Sequence, residues 1–381
     1  MRVCGRICRS GTIVGWVIIW PAGVVAAADG NRGPASAAAP RAEAIRAAVN
    51  RALPLLVKAS VGEYPRHRDC FSCHNQAVPA VALDLARRHG FAVEAETLRA
   101  IAEHTESDLN TAIADYHRGK GQPGGVIRAG YALWALEAAG WPPDETTAAV
   151  AHYLAVAPGR GDHWGGQGNR PPSEASDFTA TALALRGLRA FESAEAVAHT
   201  DPARGQPALG RDPAARRARA LEWLRQTRPR ETEERVFRLW GLKLAEADPQ
   251  DRDAAVADLL RTQRPDGGWS QLDGPGPAGT PGASAGRVPA SALASDAYAT
   301  GSALVALHLA GGVATDRPAY RRGLGFLIKA QRDDGSWFVK SRSRPFQTYF
   351  ESGFPHGPNQ FISAAASGWA VAALAMACPV P

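Results

Sequence analysis

Along this chain, helix-period stretches that are almost free of charge alternate with stretches of the same period that carry one charged face. Segments 126–139, 178–190, 297–310 and 361–377 are nearly uncharged, whereas 214–227, 251–263 and 317–331 carry arginine, lysine and aspartate. A helix that is apolar on all sides must be surrounded by protein, and one with a polar face belongs at the surface. The alternation therefore predicts inner and outer helices in succession. That is an all-α architecture, an α/α toroid in which six helical hairpins close into two concentric rings.

Twelve amphipathic or apolar stretches fit this plan, at 42–59, 76–89, 94–116, 126–139, 144–157, 177–191, 214–227, 233–247, 251–263, 296–310, 317–331 and 359–377. Start signals accompany many of them. Pro213 precedes one, Asp144 and Asp251 open others, and Ser176-Asp177 and Ser295-Asp296 stand where caps belong. Breaks fall at Gly90, Gly140, Pro158, Pro229, Pro249, Gly311-Gly312 and Pro318. Two local patterns repeat. Ser176-Asp177-Phe178-Thr179-Ala180-Thr181 echoes Ser295-Asp296-Ala297-Tyr298-Ala299-Thr300 at the start of an inner helix. Gln263-Arg264-Pro265-Asp266-Gly267-Gly268-Trp269 echoes Gln331-Arg332-Asp333-Asp334-Gly335-Ser336-Trp337 at the end of an outer one.

The second pair resembles the Gln-x-x-x-Gly-x-Trp repeat of squalene cyclases, and the chain as a whole resembles the terpenoid cyclase and protein prenyltransferase toroids. Arg322-Gly323 and Phe326 supply the upstream part of the better copy, and Gln226 and Trp164 read as remnants of others. The resemblance covers the chain after about residue 125 by motif and the part before it by helix count. It implies a structural role, in which the glutamine amide satisfies groups at a helix end and the tryptophan packs across the outer turn. The family's chemistry is not visible. The cyclase acid is an Asp-x-Asp-Asp-Thr-Ala motif, and here Asp177 is followed by Phe178 and Asp296 by Ala297. The Asp, Cys, His zinc site of the prenyltransferases is not visible either. Asp177 and Asp296 are candidate cavity-mouth acids whose simpler role is helix capping.

Cys70-Phe71-Ser72-Cys73-His74 is a c-type haem attachment motif. Two thiols at this spacing add to the two vinyl groups of one porphyrin, and the adjacent histidine becomes the proximal ligand of the haem iron. The same residues admit a Cys70–Cys73 disulfide, or a zinc site with His67, Cys70, Cys73 and His74; a thioredoxin-like pair would need a βαβ context. The expected cofactor is covalent haem c. Export agrees with it: Arg2, Arg6 and Arg9, an apolar run at 13–25 and Ala26-Ala27-Ala28 form a signal peptide over 1–28, so the expected location is the periplasm. Only that segment, if uncleaved, would contact a membrane. Losing its three arginines brings 43 basic residues close to the 37 acidic ones. Nucleic acid is therefore not an expected partner, and Arg216, Arg217 and Arg219 read as a solvated helix face. Of five cysteines, Cys4 and Cys8 leave with the signal, and Cys378 is remote from the motif.

The chain thus divides into the signal, N-terminal hairpins over 29–125 that carry the motif, and toroid repeats over 126–381 that close one barrel with them. In this plan the motif enters an inner helix on the rim shared by 117–125, 158–176, 228–232, 264–295 and 332–358. His117, His163 and His356 lie on that rim and are the candidate distal haem ligands. Met376, His89, His199 and His308 fall on the far side, so a histidine or an open site is expected rather than methionine. The segment 272–293 is rich in Gly, Pro, Ala and Ser and reads as an excursion, and 342–357, with Phe346, Tyr349, Phe350, Phe354 and His356, as an aromatic loop. A cavity lined by aromatic rings with two acids at its mouth suits an apolar small molecule, an isoprenoid or quinone. The functional expectation is a haem protein of redox, sensing or ligand-binding type, with a redox partner. A haem oxidoreductase acting on a lipid and a non-haem envelope module are the alternatives, and a true isoprenoid cyclase comes last.

Overall fold

Among the described residues, twelve principal helices form where twelve were expected, as seen in a computed structural model. They are α1 Ala42–Val57, α2 Val78–Arg88, α3 Ala95–Asn110, α4 Gly125–Ala138, α5 Glu145–Val156, α6 Asp177–Phe191, α7 Pro213–Gln226, α8 Thr232–Leu244, α9 Pro249–Arg261, α10 Ala297–Leu309, α11 Pro318–Ala330 and α12 Gln360–Ala375. The structure describes residues 42–157, 159–166, 168, 170–192, 212–272, 293–345 and 347–378, all within the unit Ala38–Pro381. The expected signal segment, His199, Phe346 and nearly all of the 272–293 excursion lie outside the described residues. Among those described, no helix is long and apolar enough to cross a membrane.

The even-numbered helices close on themselves. Each packs against the next, α2 on α4, α4 on α6, then α8, α10 and α12, and α12 returns to α2. The odd-numbered helices lie outside, each against the inner helices beside it, as α5 lies on α4 and α6 and α9 on α8 and α10. Burial follows charge. Every residue of α12 except Phe361 is buried, whereas α9 buries only Ala255 and Leu259. Small residues set the spacing of the inner ring: a Cβ on Gly130 would sit 2.5 Å from Leu183 Cβ, and one on Gly301 would sit 2.6 Å from the Trp369 carbonyl carbon. The fold is the expected all-α toroid.

One segment differs from expectation. The stretch 94–116 is not a single helix, because α3 stops at Asn110 and a separate turn runs over Ile113–His117. The Thr111 hydroxyl donates to the Asp108 carbonyl at 2.6 Å, and Ala112 leaves the helical region at φ −116° and ψ 18°. A hydroxyl that bonds a nearby carbonyl offers the backbone this alternative to continuing the helix.

The glutamine–tryptophan repeats clasp neighbouring outer helices. Trp164, Trp269 and Trp337 are fully buried, and each indole N–H donates to a carbonyl ten residues back, on Leu154, Leu259 and Leu327, at 2.7–2.9 Å. Their backbone N–H groups donate to Thr181, Thr300 and Ser367 on the next inner helix. Gln263 donates to the carbonyls of Gly267 and Ala319 and accepts from Arg322. Gln331 does the same with Gly335, Ala48 and Arg51, so α11 is fastened to α1 and the last clasp seals the ring. Trp164 keeps the role of the motif tryptophan. Gln226 does not keep that of the glutamine, since its amide turns to Glu222 on its own helix.

Candidate functional site

Loops leading from outer to inner helices gather on one rim, and the cysteine loop is among them. After α1 the chain continues through a wide turn at Lys58–Glu63 and a short one at Tyr64–His67, then becomes extended at Arg68. Helix resumes at Cys73, where the Ser72 hydroxyl accepts from the Asn75 N–H and the Gln76 carboxamide oxygen accepts from the Ser72 N–H. The Gln76 amide also meets His104 Nδ1 at 2.8 Å, while His104 Nε2 lies 3.1 Å from the Arg68 carbonyl. His104 thus braces both ends of the motif loop, a role the sequence did not suggest.

Cys70 is exposed and sits 3.6 Å from the Tyr64 hydroxyl, in an aromatic surround where Phe350 contacts Tyr64, His67 and Phe361. Cys73 is buried, and burial together with the charge of Glu174 pushes its thiol up. His74 turns inward and is held at both nitrogens. Nε2 is 2.9 Å from the Ser173 hydroxyl and Nδ1 is 3.4 Å from a Glu174 carboxylate oxygen. Burial, aided by the Arg170 guanidinium, lowers its pKa to about 3, so the ring is uncharged. Glu174 is itself buried and paired with Arg170; burial raises its carboxyl against the pull of that guanidinium.

The candidate distal histidines lie elsewhere on the rim. His117 is exposed, 3.9 Å from Glu145. His163 is stacked on Trp223 with ring centroids 4.0 Å apart, between Asp162 at 2.5 Å and Asp177 at 3.3 Å. Burial opposes its charge, but the two carboxylates prevail and raise its pKa. His356, at φ 90°, bonds the Ser336 hydroxyl at 2.7 Å within the last clasp. None of the three hydrogen-bonds or stacks with His74; Ser173 and Glu174 are what the fold brings there. Nor do the described residues contain any three His, Cys, Asp or Glu side chains grouped to hold a metal ion.

The two acids separate. Asp296 caps α10 by accepting from the Ala299 N–H at 2.9 Å and receives the Gln271 amide at 3.0 Å; burial raises its pKa to about 6. Asp177 does not cap α6, because the Ser176 hydroxyl takes that place. It accepts instead from the Gly166 N–H at 2.8 Å and faces His163 and Arg160; burial opposes this, yet these partners hold its carboxyl below its ordinary value.

Inside the ring lies a group the sequence reading did not single out. Glu233, in the first turn of α8, is buried and accepts from the Tyr298 hydroxyl at 3.1 Å. Burial raises its pKa to about 8. Tyr131 on α4 is within electrostatic reach of both Glu233 and Cys73, which links the cysteine loop to the interior. Beneath them is an aromatic floor: Trp134 packs against Trp240 and Trp369, each at 5.8 Å, and Tyr131 against Phe237 at 6.4 Å. A signal for this cluster was present. Thr179 and Tyr298 stand two residues after Asp177 and Asp296, and Glu233 stands two after Glu231 at the start of the inner helix between them.

The donor set around His74 suits a covalently attached haem. Cys70 and Cys73 are not joined to each other, and the imidazole is neutral, as axial ligation requires. A carboxylate beside the second ring nitrogen is a common outer partner of a metal-bound histidine. The Ser173 hydroxyl lies on Nε2, the nitrogen that would have to be free for His74 to hold a haem iron.

No protein-family model matches the chain, and no curated protein matches it. Solved structures do. A variant of the type II terpene cyclase MstE from Scytonema, in complex with merosterolic acid A as product, is 17% identical, with 89% of this chain and 99% of that one covered and a TM-score of 0.53. Another MstE variant, with geranylgeranyl dihydroxybenzoate as substrate, is 16% identical over 89% and 99%, with a TM-score of 0.52. A glycosidase in complex with glucose is 11% identical over 89% and 98%, with a TM-score of 0.50. At such identities the likeness is one of fold, and the fold hosts unlike chemistries.

Proposed function

We propose that this chain is an exported c-type haem protein whose helical ring holds an apolar, isoprenoid-like molecule. The observation that carries the reading is the junction at Cys73. A paired-cysteine loop with a neutral, half-buried histidine begins a turn, Cys73–Ala77, that packs on α4, the inner helix that carries Tyr131 and Trp134 of the aromatic interior. Cys70 and Cys73 would hold the porphyrin and His74 the iron, with Glu174 orienting the imidazole. Haem bound there would supply one-electron redox chemistry. The chain's own residues supply the rest: aromatic rings that exclude water, and a rim that positions the cofactor beside the bound molecule. Terpene cyclases of this fold are seen with a prenyl-bearing substrate and its product, which supports an apolar occupant. An exported redox protein is the class of partner this implies.

A cyclase reading is not favoured by the electrostatics. Protonating an alkene needs an unusually strong acid, yet burial makes Glu233 and Asp296 weaker acids than usual. Asp177 is held ionised by its partners. One observation favours a second reading, a binding module without haem: the Ser173 hydroxyl already satisfies His74 Nε2.

A haem stain after denaturing electrophoresis distinguishes the two. The protein made in a host competent in cytochrome maturation is expected to stain, and Cys70→Ser with Cys73→Ser is expected not to. A colourless wild-type protein would leave the binding module. Carbon monoxide binding by the reduced protein would mark an open iron site and turn the redox reading toward chemistry on the bound lipid.

A further inference from the structure

At the end of the ring away from the cysteine loop, the last turns of the inner helices bring cations together. Arg87 and Arg88 close α2, Arg189 closes α6 shortly after Arg186, and Lys243 closes α8. Basic side chains offset the partial negative charge of a helix C-terminus, which accounts for an exposed residue such as Arg189. It does not account for the way Arg186 is held.

The Arg186 guanidinium is fixed on two sides. Its carbon lies 4.5 Å from the centre of the Trp134 ring and 5.6 Å from that of Trp240, both buried, and its Nε donates to Glu137 at 2.6 Å. Its two terminal nitrogens make no hydrogen bond among the described residues, and with 21% of the side chain open neither is sealed from water. A guanidinium carries its donors in a rigid planar fork. Pinned at one edge and stacked on two rings, this one presents its other edge ready-made for two oxygens of one oxyanion.

The charge around the fork is one-sided. Arg189 has no partner among the described residues, and the Lys243 ammonium donates to the Leu309 carbonyl and to no carboxylate. Burial lowers the pKa of Lys243, and the charges of Arg186, Arg189 and Arg252 lower it further. Burial lowers that of Arg186 too; Glu137 opposes this, while Arg189 and Arg88 add to it. The side chains of α2, α6 and α8 are thus within electrostatic reach of one another. The other acids nearby are engaged, Asp84 by Arg87 and Arg88 and Glu246 by Arg217. Arg186, Arg189 and Lys243 less the charge of Glu137 leave a surplus that a dianion balances and a monocarboxylate does not.

We propose that Arg186, with Arg189 and Lys243 beside it, binds a phosphate monoester or inorganic phosphate at the end of the ring opposite the cysteine loop. Two phosphate oxygens accept from the Arg186 fork, and the second guanidinium and the ammonium meet the remaining charge. The site is independent of haem and of any molecule held in the interior. A free phosphate and the monoester head of a lipid share this chemistry.

Titration calorimetry on the full-length protein tests this with sodium phosphate against sodium acetate at constant ionic strength and about pH 8, where phosphate is doubly charged. Saturable binding of phosphate is expected, with acetate about tenfold weaker or more. Arg186→Lys keeps the charge but loses the fork, and is expected to weaken phosphate by about tenfold. Arg189→Gln changes an exposed side chain without a partner, and is expected to weaken it a few fold with an unchanged urea midpoint. Should Arg186→Lys fail to fold, Arg189→Gln and Lys243→Gln carry the test. Acetate bound as tightly as phosphate, or phosphate affinity unchanged in the variants, would overturn the proposal. A second arm uses phosphatidylcholine vesicles with and without a minority of phosphatidic acid, a lipid monoester. Sedimentation with the acidic vesicles alone, lost in Arg189→Gln, would support the same site with a lipid as the source. Binding in neither arm would overturn it.

Discussion

Replacing Gly335 by alanine is expected to open the seam between the first and last hairpins. Gly335 has φ +88°, and a Cβ there would lie 2.5 Å from the Arg51 carbonyl oxygen and 2.8 Å from its carbon. The left-handed conformation costs a residue with a side chain ~1–2 kcal/mol. The collision is with backbone, which cannot rotate away, and overpacking of that kind adds ~1–3 kcal/mol. The expected loss is therefore about 2–5 kcal/mol. Gly312 provides the control, because it has φ +69° with nothing within 4 Å, and Gly312→Ala should show the conformational part alone. Gly267 provides the replicate, since its Cβ would meet the Arg322 carbonyl oxygen at 2.5 Å in the preceding clasp. Urea unfolding of the three variants measures the difference, and hydrogen exchange in α1 reports where it falls. Equal losses for Gly335→Ala and Gly312→Ala would refute the argument that the glycine is needed for close approach of the two outer helices.

Trp337→Phe keeps a ring but removes the N–H that satisfies the Leu327 carbonyl, and should cost ~1–3 kcal/mol in the same urea assay. Gln226→Ala, on an exposed helix end, should stay within about 0.5 kcal/mol of wild type. Stability should fall as pH rises from the ordinary carboxyl range, because folded Asp296 and Glu233 keep protons to about 6 and about 8 that the unfolded chain has already released. Thermal melts across this window should slope downward, and Glu233→Gln should flatten the upper part; an unchanged slope would contradict the assignment. In the protein made without haem, a maleimide should label Cys70 quickly and leave buried Cys73 and Cys378 unlabelled until denaturant is added, as mass spectrometry would show.

Much of the architecture was legible in the sequence because burial and charge are local properties of a helix. An uncharged stretch such as 297–309 has no surface to offer water, so its inner place follows from composition alone. The clasps were legible for a related reason, since Gln, Gly and Trp act over a span of seven residues and their repetition is visible in one dimension. The site was legible only in part. Cys70, Cys73 and His74 are adjacent in the chain, whereas the groups that decide the state of His74, Ser173 and Glu174, are brought from about a hundred residues away by closure of the ring. Glu233 was hidden by its neighbours: Glu231, Glu233 and Glu234 crowd the start of a helix that the alternation places in the inner ring, and nothing in one dimension says which carboxylate turns inward. Only the packing of α8 between α6 and α10 turns one of the three inward.

The clasp of Gln331 to Ala48 and Arg51 gives the chain an order of assembly. Its two halves are separated by 280 positions, so nothing can complete it until the eleventh helix has emerged from the ribosome. Until then the first hairpin lacks its neighbour on one side, and the inner helices form an open arc with a greasy edge. Such a chain stays slow to finish and easy to thread while it is being made. Once the arc becomes a circle, removing either end unfastens both.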